Sequence, residues 1–402
     1  MGMSKWWMCC VVLALIGCAP EPALVASNCD DPTACAGGQA LKLDAVDILL
    51  VVDDSASITN SVQALKQQLP RLLNAITSGD GEGMSFPPAQ SVHVAVTTSD
   101  MGIGERKQTV AWCDATGQDG LFIKPGERVL SCDVTHPSYL AFDGGPAAVA
   151  TVETVSCVPL VGPVMDPDGE FLDVGCGFEQ PLEAALKSLW PKDESSIHFV
   201  QGFGHGDAEN AGFLRPDSLL VVVVVTDEDD CSPSDLELFD RALNPQLDNL
   251  ACSRHSELLQ PPSRYIEGLR ALRPGNKNLI FGLIGGVPAE LVSPEYRARF
   301  DLEKDSGTAE YYDAILADER MQEVEDPAAA DLPGQLKYLR PSCRRTIDGK
   351  LSVTTPPRRL LEVAKGFGTR SVVGSLCTDD FGVTTGQLIR AIGEQLANPV
   401  AK

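Results

Sequence analysis

Basic residues are scarce in this sequence. Only 32 Lys and Arg stand against 56 Asp and Glu in 402 residues, a formal net charge of −24. A chain so acidic repels nucleic acid and anionic membrane surfaces. Long hydrophobic runs are missing as well. Beyond residue 17 the most apolar stretch, Leu219 to Val225, is far too short to cross a bilayer as a helix. With five histidines and no C-x-x-C pair beyond residue 17, a structural zinc site has little to be built from. There is no G-x-S-x-G nucleophile elbow, since the sequence around Ser55 reads Asp53-Asp54-Ser55-Ala56-Ser57. No internal repeat is visible. What the chain does have is 44% hydrophobic residues, ample for a folded core.

The amino-terminal residues read MGMSKWWMCCVVLALIGCAP. Lys5 supplies a short positive region, and Met8 to Gly17 is an apolar run too short to span a bilayer. Leu15-Ile16-Gly17-Cys18 resembles a bacterial lipobox, in which Cys18 becomes the lipidated first residue after cleavage; an ordinary secretion signal is the alternative. Residues 1–17 are thus expected to be a signal peptide and 18–44 a lipidated tether. The membrane would be touched through lipid only. The expected location is the bacterial cell envelope, at the outer membrane, with the periplasmic and surface faces both open.

Thirteen cysteines agree with export. Setting aside Cys9, Cys10 and Cys18 leaves an even number, which in an exported chain reads as disulfides. The spacing alone does not determine the pairing. Short gaps favour sequential closure: Cys29–Cys35, Cys113–Cys132, Cys157–Cys176, Cys231–Cys252 and Cys343–Cys377.

The stretch Val46 to Ser57, VDILLVVDDSAS, organises the rest. Its continuous aliphatic run suits a strand buried on both faces of a parallel sheet. Asp53-x-Ser55-x-Ser57 follows, and then Ile58, Val62, Leu65, Leu69, Leu72 and Ile76 recur at helical spacing. Further strands are expected at Ser91–Thr98, Leu219–Val225, about 278–284 and 370–376. Helices are expected at Glu179–Trp190, after Thr355-Pro356 until Gly366, and at Gln387–Leu396. A helix over Pro233–Leu243 would return the chain between Cys231 and Cys252. Residues 101–180 read as a surface insertion pinned by cysteines, with a short helix at Pro146–Val155, and 287–350 as a mixed, charged insertion. Strands alternating with helices predict an α/β, doubly wound, mostly parallel sheet.

Strand, D-x-S-x-S loop and helix in this order resemble the first half of a von Willebrand factor type A domain, whose loop is a metal-ion-dependent adhesion site. The resemblance covers about 45–397 and implies a Rossmann-like fold with long disulfide-pinned insertions. It also implies that Asp53, Ser55 and Ser57 turn toward one magnesium-like ion, with manganese and calcium as alternatives, since hard cations want oxygen donors. VVVVVTDEDD resembles the second aspartate motif of that family, which makes Asp227 a ligand. Where the family usually has a threonine, this chain reads Gly175-Cys176-Gly177-Phe178-Glu179-Gln180. Glu179 is the candidate replacement, and Thr98, at another strand end, a second one. Without metal, Asp and Ser here would be only a turn and a helix cap, and Glu179 a first-turn helix acid. TDEDDCS and GCGFEQPLEA resemble the cysteine-rich type A domain lipoproteins of predatory and gliding, myxobacteria-like bacteria.

The function implied is a metal-dependent protein-binding module, for adhesion or scaffolding, that takes an envelope or extracellular partner through an acidic side chain. It would not be an enzyme. The alternatives are a hydrolase using Ser55 or a metal-bound water with His198 or His205 as base, and an envelope structural protein that holds no metal.

Overall fold

Strand β1 (Ala45–Val52) is paired in parallel on both sides. One neighbour is β2 (Ser91–Thr98), in register from Ala45↔Ser91 to Val52↔Thr98. The other, β4 (Leu219–Val225), runs from Val46↔Leu219 to Val52↔Val225. Three strand ends therefore finish level. The computed structural model describes residues 43–105, 113–124, 138–143, 158, 164–165, 171–173, 175–240, 242–243, 250–273, 278–327, 338–347, 350–378 and 380–399. With β3 (Leu140–Asp143), β5 (Leu279–Gly285) and β6 (Ser371–Ser375), the sheet has the order β6-β5-β4-β1-β2-β3. All neighbours are parallel except β3, which runs antiparallel to β2. The chain builds outward from β1 in one direction through β2 and in the other through β4. The reversal lies between β1 and β4, where open α/β sheets leave a crevice at the carboxyl ends of their strands.

Helices cover both faces, as a mostly parallel sheet requires. Val46, Ile48, Leu50 and Val52 point into a core shared with α1 (Thr59–Lys66), α2 (Leu69–Ser78) and α7 (Gly382–Ala397). Leu49 and Val51 point into the opposite core. There they meet α3 (Pro181–Leu189), α4 (Pro262–Ala271), α5 (Asp305–Ala317) and α6 (Arg358–Phe367). The α/β class and the five parallel strands agree with the sequence reading. Leu41–Lys402 forms one compact unit. Among the described residues no helix is long and apolar enough to cross a membrane.

Several elements differ from expectation. The helix predicted over Ile58–Ile76 is two, because Pro70 in the first turn of α2 removes a backbone donor and crowds the carbonyl four residues back. The segment 101–180 is not only a surface insertion, since it supplies the edge strand β3. Between Cys231 and Cys252 the described residues hold one 3₁₀ turn, Leu236–Phe239, capped by Asp235, instead of a Pro233–Leu243 helix. Residues 287–350 contain α5, whose Tyr311, Tyr312 and Ile315 are buried. Helix α6 runs past Gly366 to Phe367, where Gly368, φ +59°, caps it. The proposed Pro146–Val155 helix lies outside the described residues.

Two disulfides match the expected pairs: Cys231–Cys252 and Cys343–Cys377, with Cα atoms 5.4 and 6.1 Å apart. A third corrects them. Cys113 is bonded to Cys176, Cα atoms 4.5 Å apart, and so neither to Cys132 nor leaving Cys176 for Cys157. The physical reason is the return of the chain. Ile103 N and Gly104 N donate to Asp114 O and Ala115 O, folding the loop after β2 back on itself. Gln180 Nε2 then ties that loop to the approach to α3 through Gly102 O, 3.0 Å. Cys113 and Cys176 pack there with Ile103, Phe178 and Phe239. Cys18, Cys29, Cys35, Cys132 and Cys157 lie outside the described residues.

Candidate functional site

Backbone bonds gather the loops at the carboxyl ends of β1, β2 and β4. Asp53 N donates to Val225 O (2.9 Å), Ser99 N to Val52 O (3.2 Å) and Gln180 N to Ser99 O (2.9 Å). Cys231 N donates to Glu179 O (2.7 Å), and Gly175 N to Asp54 O (3.2 Å). At Gly175 an added Cβ would meet the Asp54 carboxylate, so a larger residue there would displace that side chain.

The side chains follow. Asp53 is fully buried; its Oδ1 accepts from Ser55 N at 2.8 Å and its Oδ2 from the Thr226 hydroxyl at 2.9 Å. Ser55 Oγ and Ser57 Oγ are 2.9 Å apart, and Ser57 Oγ donates to Asp227 Oδ1 at 3.1 Å. The four residues Asp53, Ser55, Ser57 and Asp227 are thus brought together. Asp227 is 2% exposed, and its Oδ2 has no hydrogen-bond partner among the described residues. Glu179 is also buried. Its Oε2 accepts from the Ser99 hydroxyl, while Oε1 has no partner among the described residues.

These acids strain against one another. Burial, then the charges of Asp53, Asp54 and Glu228, push the Glu179 carboxyl well above its usual range. Burial, then Asp53 and Glu228, do the same to Asp227. Such a cluster is short of positive charge. It can share protons, or it can hold a hard cation on the Asp53 and Asp227 carboxylates and the two serine hydroxyls; Glu179, held by Ser99, is not gathered with the two aspartates into one such group. Among the described residues no three or more His, Cys, Asp and Glu side chains are grouped to hold a metal, so hydroxyl donors would have to complete the set.

Thr98 is buried and turns its hydroxyl to Asp100 N, 3.2 Å, within its own turn. Its neighbour Ser99 is the residue joined to Glu179. In the sequence Thr97-Thr98-Ser99 offers three hydroxyls, and only the strand register tells them apart. The acids after Asp227 are also placed by distant partners. Asp229 accepts from Arg359 N and Leu360 N at the start of α6, at 2.9 and 3.3 Å. Asp230 accepts from Leu182 N in α3, 3.0 Å, and pairs with Arg359 at 3.1 Å. The loop after β4 therefore caps two helices.

A hairpin of Cys343–Ile347 against Lys350–Thr354 stands beside this loop cluster. Cys343–Cys377 pins it, Arg345 reaches Ser61 Oγ (3.0 Å) and Thr378 O, and its second strand lies against the Ala56–Ile58 turn. Leu351 and Val353, two apart and so on one face of the strand, are 65% and 36% exposed. Of the histidines considered as bases, His205 has both ring nitrogens on carboxylates, Asp119 at 3.1 Å and Glu209 at 2.9 Å. His198 accepts from Arg264 through its backbone carbonyl, 2.7 Å.

Compared with known proteins, the chain matches no family model and no curated protein.

Proposed function

We propose that this chain is a metal-dependent protein-binding module of the von Willebrand factor type A kind, doubly wound, on a lipid-anchored protein of a bacterial envelope. One observation carries the reading. Asp53, Ser55, Ser57 and Asp227, from loops 170 residues apart, form one hydrogen-bonded chain at the sheet's point of reversal, ending in a buried carboxylate oxygen that has no partner among the described residues. Burying like charges side by side is costly unless a cation offsets them.

The donor set fits a hard cation such as magnesium, manganese or calcium. Asp53 and Asp227 would supply charge, Ser55 and Ser57 neutral oxygens, and Glu179 is the further candidate. When bound, the ion offers a partner's carboxylate a positive centre. Ser57, exposed where Asp53 is buried, places the open side of the set toward solvent. The remaining work falls to the chain itself. Asp53 fixes the loop by accepting from Ser55 N and Thr226, Ser99 orients Glu179, and the exposed Leu351 and Val353 flank the opening with apolar surface for a protein partner.

Calorimetric titration of the full-length chain with magnesium, manganese and calcium chloride tests this. Saturable binding of at least one ion is expected, together with its loss in Asp53→Ala and in Asp227→Ala. Glu179→Thr should weaken affinity if Glu179 is a ligand and leave it alone if it only shapes the field. Unchanged affinity in Asp53→Ala would end the proposal. Envelope extracts passed over the immobilised chain with and without chelator would then search for the partner.

A further inference from the structure

A cavity of about 220 Å3 opens beside the sheet-end cluster. Glu179 lies at its base, 1% exposed, with Oε1 lacking a partner among the described residues. Glu228 lines the wall, and Glu323 and Glu362 stand exposed at the mouth. The Cys231–Cys252 disulfide, Leu259 and Leu339 supply apolar wall between the two levels. Two arginines also line the space, and both act on Glu323 at the mouth, but six acids outnumber them. Arg359 pairs with Asp230 at 3.1 Å and donates to Gln260 O at 2.6 Å. Arg358 donates to Leu316 O and Met321 O at 3.0 and 2.7 Å.

We propose that this cavity binds an organic cation: an ammonium or guanidinium group on a slender aliphatic stem. Acids at base, wall and mouth favour a positive ligand, and a buried carboxylate oxygen without a partner calls for a donor. An amine-bearing stem can lie along Leu259 and Leu339 while its charged head reaches Glu179. A lysine or arginine side chain of a protein partner and a free polyamine share this chemistry.

The inference does not rest on the metal reading, and its test is run in chelator. The full-length chain is titrated by calorimetry with cadaverine, agmatine, Nα-acetyl-lysine amide and, as a neutral control, pentanol. Saturable binding of the cationic probes is expected, weakening as sodium chloride is added, with none for pentanol. Glu323→Gln combined with Glu362→Gln should weaken it about tenfold or more, while Glu295→Gln, at an exposed acid that does not line the cavity, keeps the affinity. Tighter binding of the lysine derivative than of cadaverine assigns a protein side chain, and the reverse order assigns a free amine. No saturable binding, equal binding of pentanol, or unchanged affinity in the double variant would overturn the proposal.

Discussion

Two aspartates on one strand illustrate how position decides what a charge does. Asp53, at the carboxyl end of β1, sits among acids; Asp47, six residues earlier, sits among arginines. Asp47 is fully buried, yet accepts from Arg215 N and Nε, both at 2.8 Å, and from the Ser218 hydroxyl, with Arg273 at 4.0 Å. Removing one partner of a buried ion pair leaves an uncompensated charge, so Arg215→Ala should cost about 3–5 kcal/mol. Urea denaturation measures it; a loss below about 1 kcal/mol would mean that Arg273 and Ser218 suffice. For Asp53→Ala the expectation is different. The change takes a like charge from beside Asp227 and Glu179, while Ser55 N and Thr226 lose an acceptor. These effects oppose, so melting in chelator should shift little. The gain from metal should vanish, and for the wild type that gain is about 2.7 kcal/mol at a metal concentration a hundred times Kd. A thermal-shift titration of both proteins reads the difference, and an Asp53→Ala variant still stabilised by metal would contradict it.

Among the elements, the loop after β2 and the approach to α3 depend on a cross-link that closes 63 residues. On chain entropy a loop of that length stabilises by about 4 kcal/mol. Cys113→Ala with Cys176→Ala should lower stability by that order, and non-reducing peptide mapping of the wild type should join these two cysteines. A peptide linking Cys113 to Cys132 would refute the arrangement. A second tie holds the loop after α3. Burial would lower the His205 pKa, but hydrogen bonds to Asp119 and Glu209 outweigh it and raise it above the ordinary value. The folded chain then holds this proton more tightly than the unfolded chain. The stabilisation is complete below about pH 6.5 and is lost as pH rises through the elevated folded value. Melting curves of wild type and His205→Gln should therefore converge as pH rises above that point. A gap that is constant or widens with pH would count against the tie.

At the scale of the whole molecule, the amino terminus and the sheet raise separate questions. The lipobox-like Leu15-Ile16-Gly17-Cys18 leads us to expect Cys18 as the lipidated mature terminus. Cys18→Ser should shift the protein from the membrane fraction to the soluble fraction, and mass spectrometry of the wild type finding an unmodified terminus beyond Cys18 would exclude the anchor. For the sheet, the decisive feature is that β1 and β4, 173 residues apart at their ends Val52 and Val225, are direct neighbours. That pairing sets Asp53 and Asp227 side by side and lets Ser57 bridge them.

Local chemistry in the sequence determined the runs that become β1, β4 and β5, because continuous apolar residues have only a doubly covered sheet in which to be buried, and the alternating valines that become β2. It also determined the D-x-S-x-S turn and the acids that follow β1, β2 and β4. Tertiary structure decided the rest, since those outcomes depend on contacts between segments far apart in the chain. Strand register chose Ser99 over Thr98 as the partner of Glu179. The folding back of the loop after β2 chose Cys176 for Cys113, against the shorter gap to Cys132. Helices whose starts lie 48 and 130 residues away turned Asp230 and Asp229 from acids that could have faced water into caps. The edge strand Leu140–Asp143, alternately buried and exposed and only four residues long, carries too little periodicity to be recognised without the β2 edge it completes.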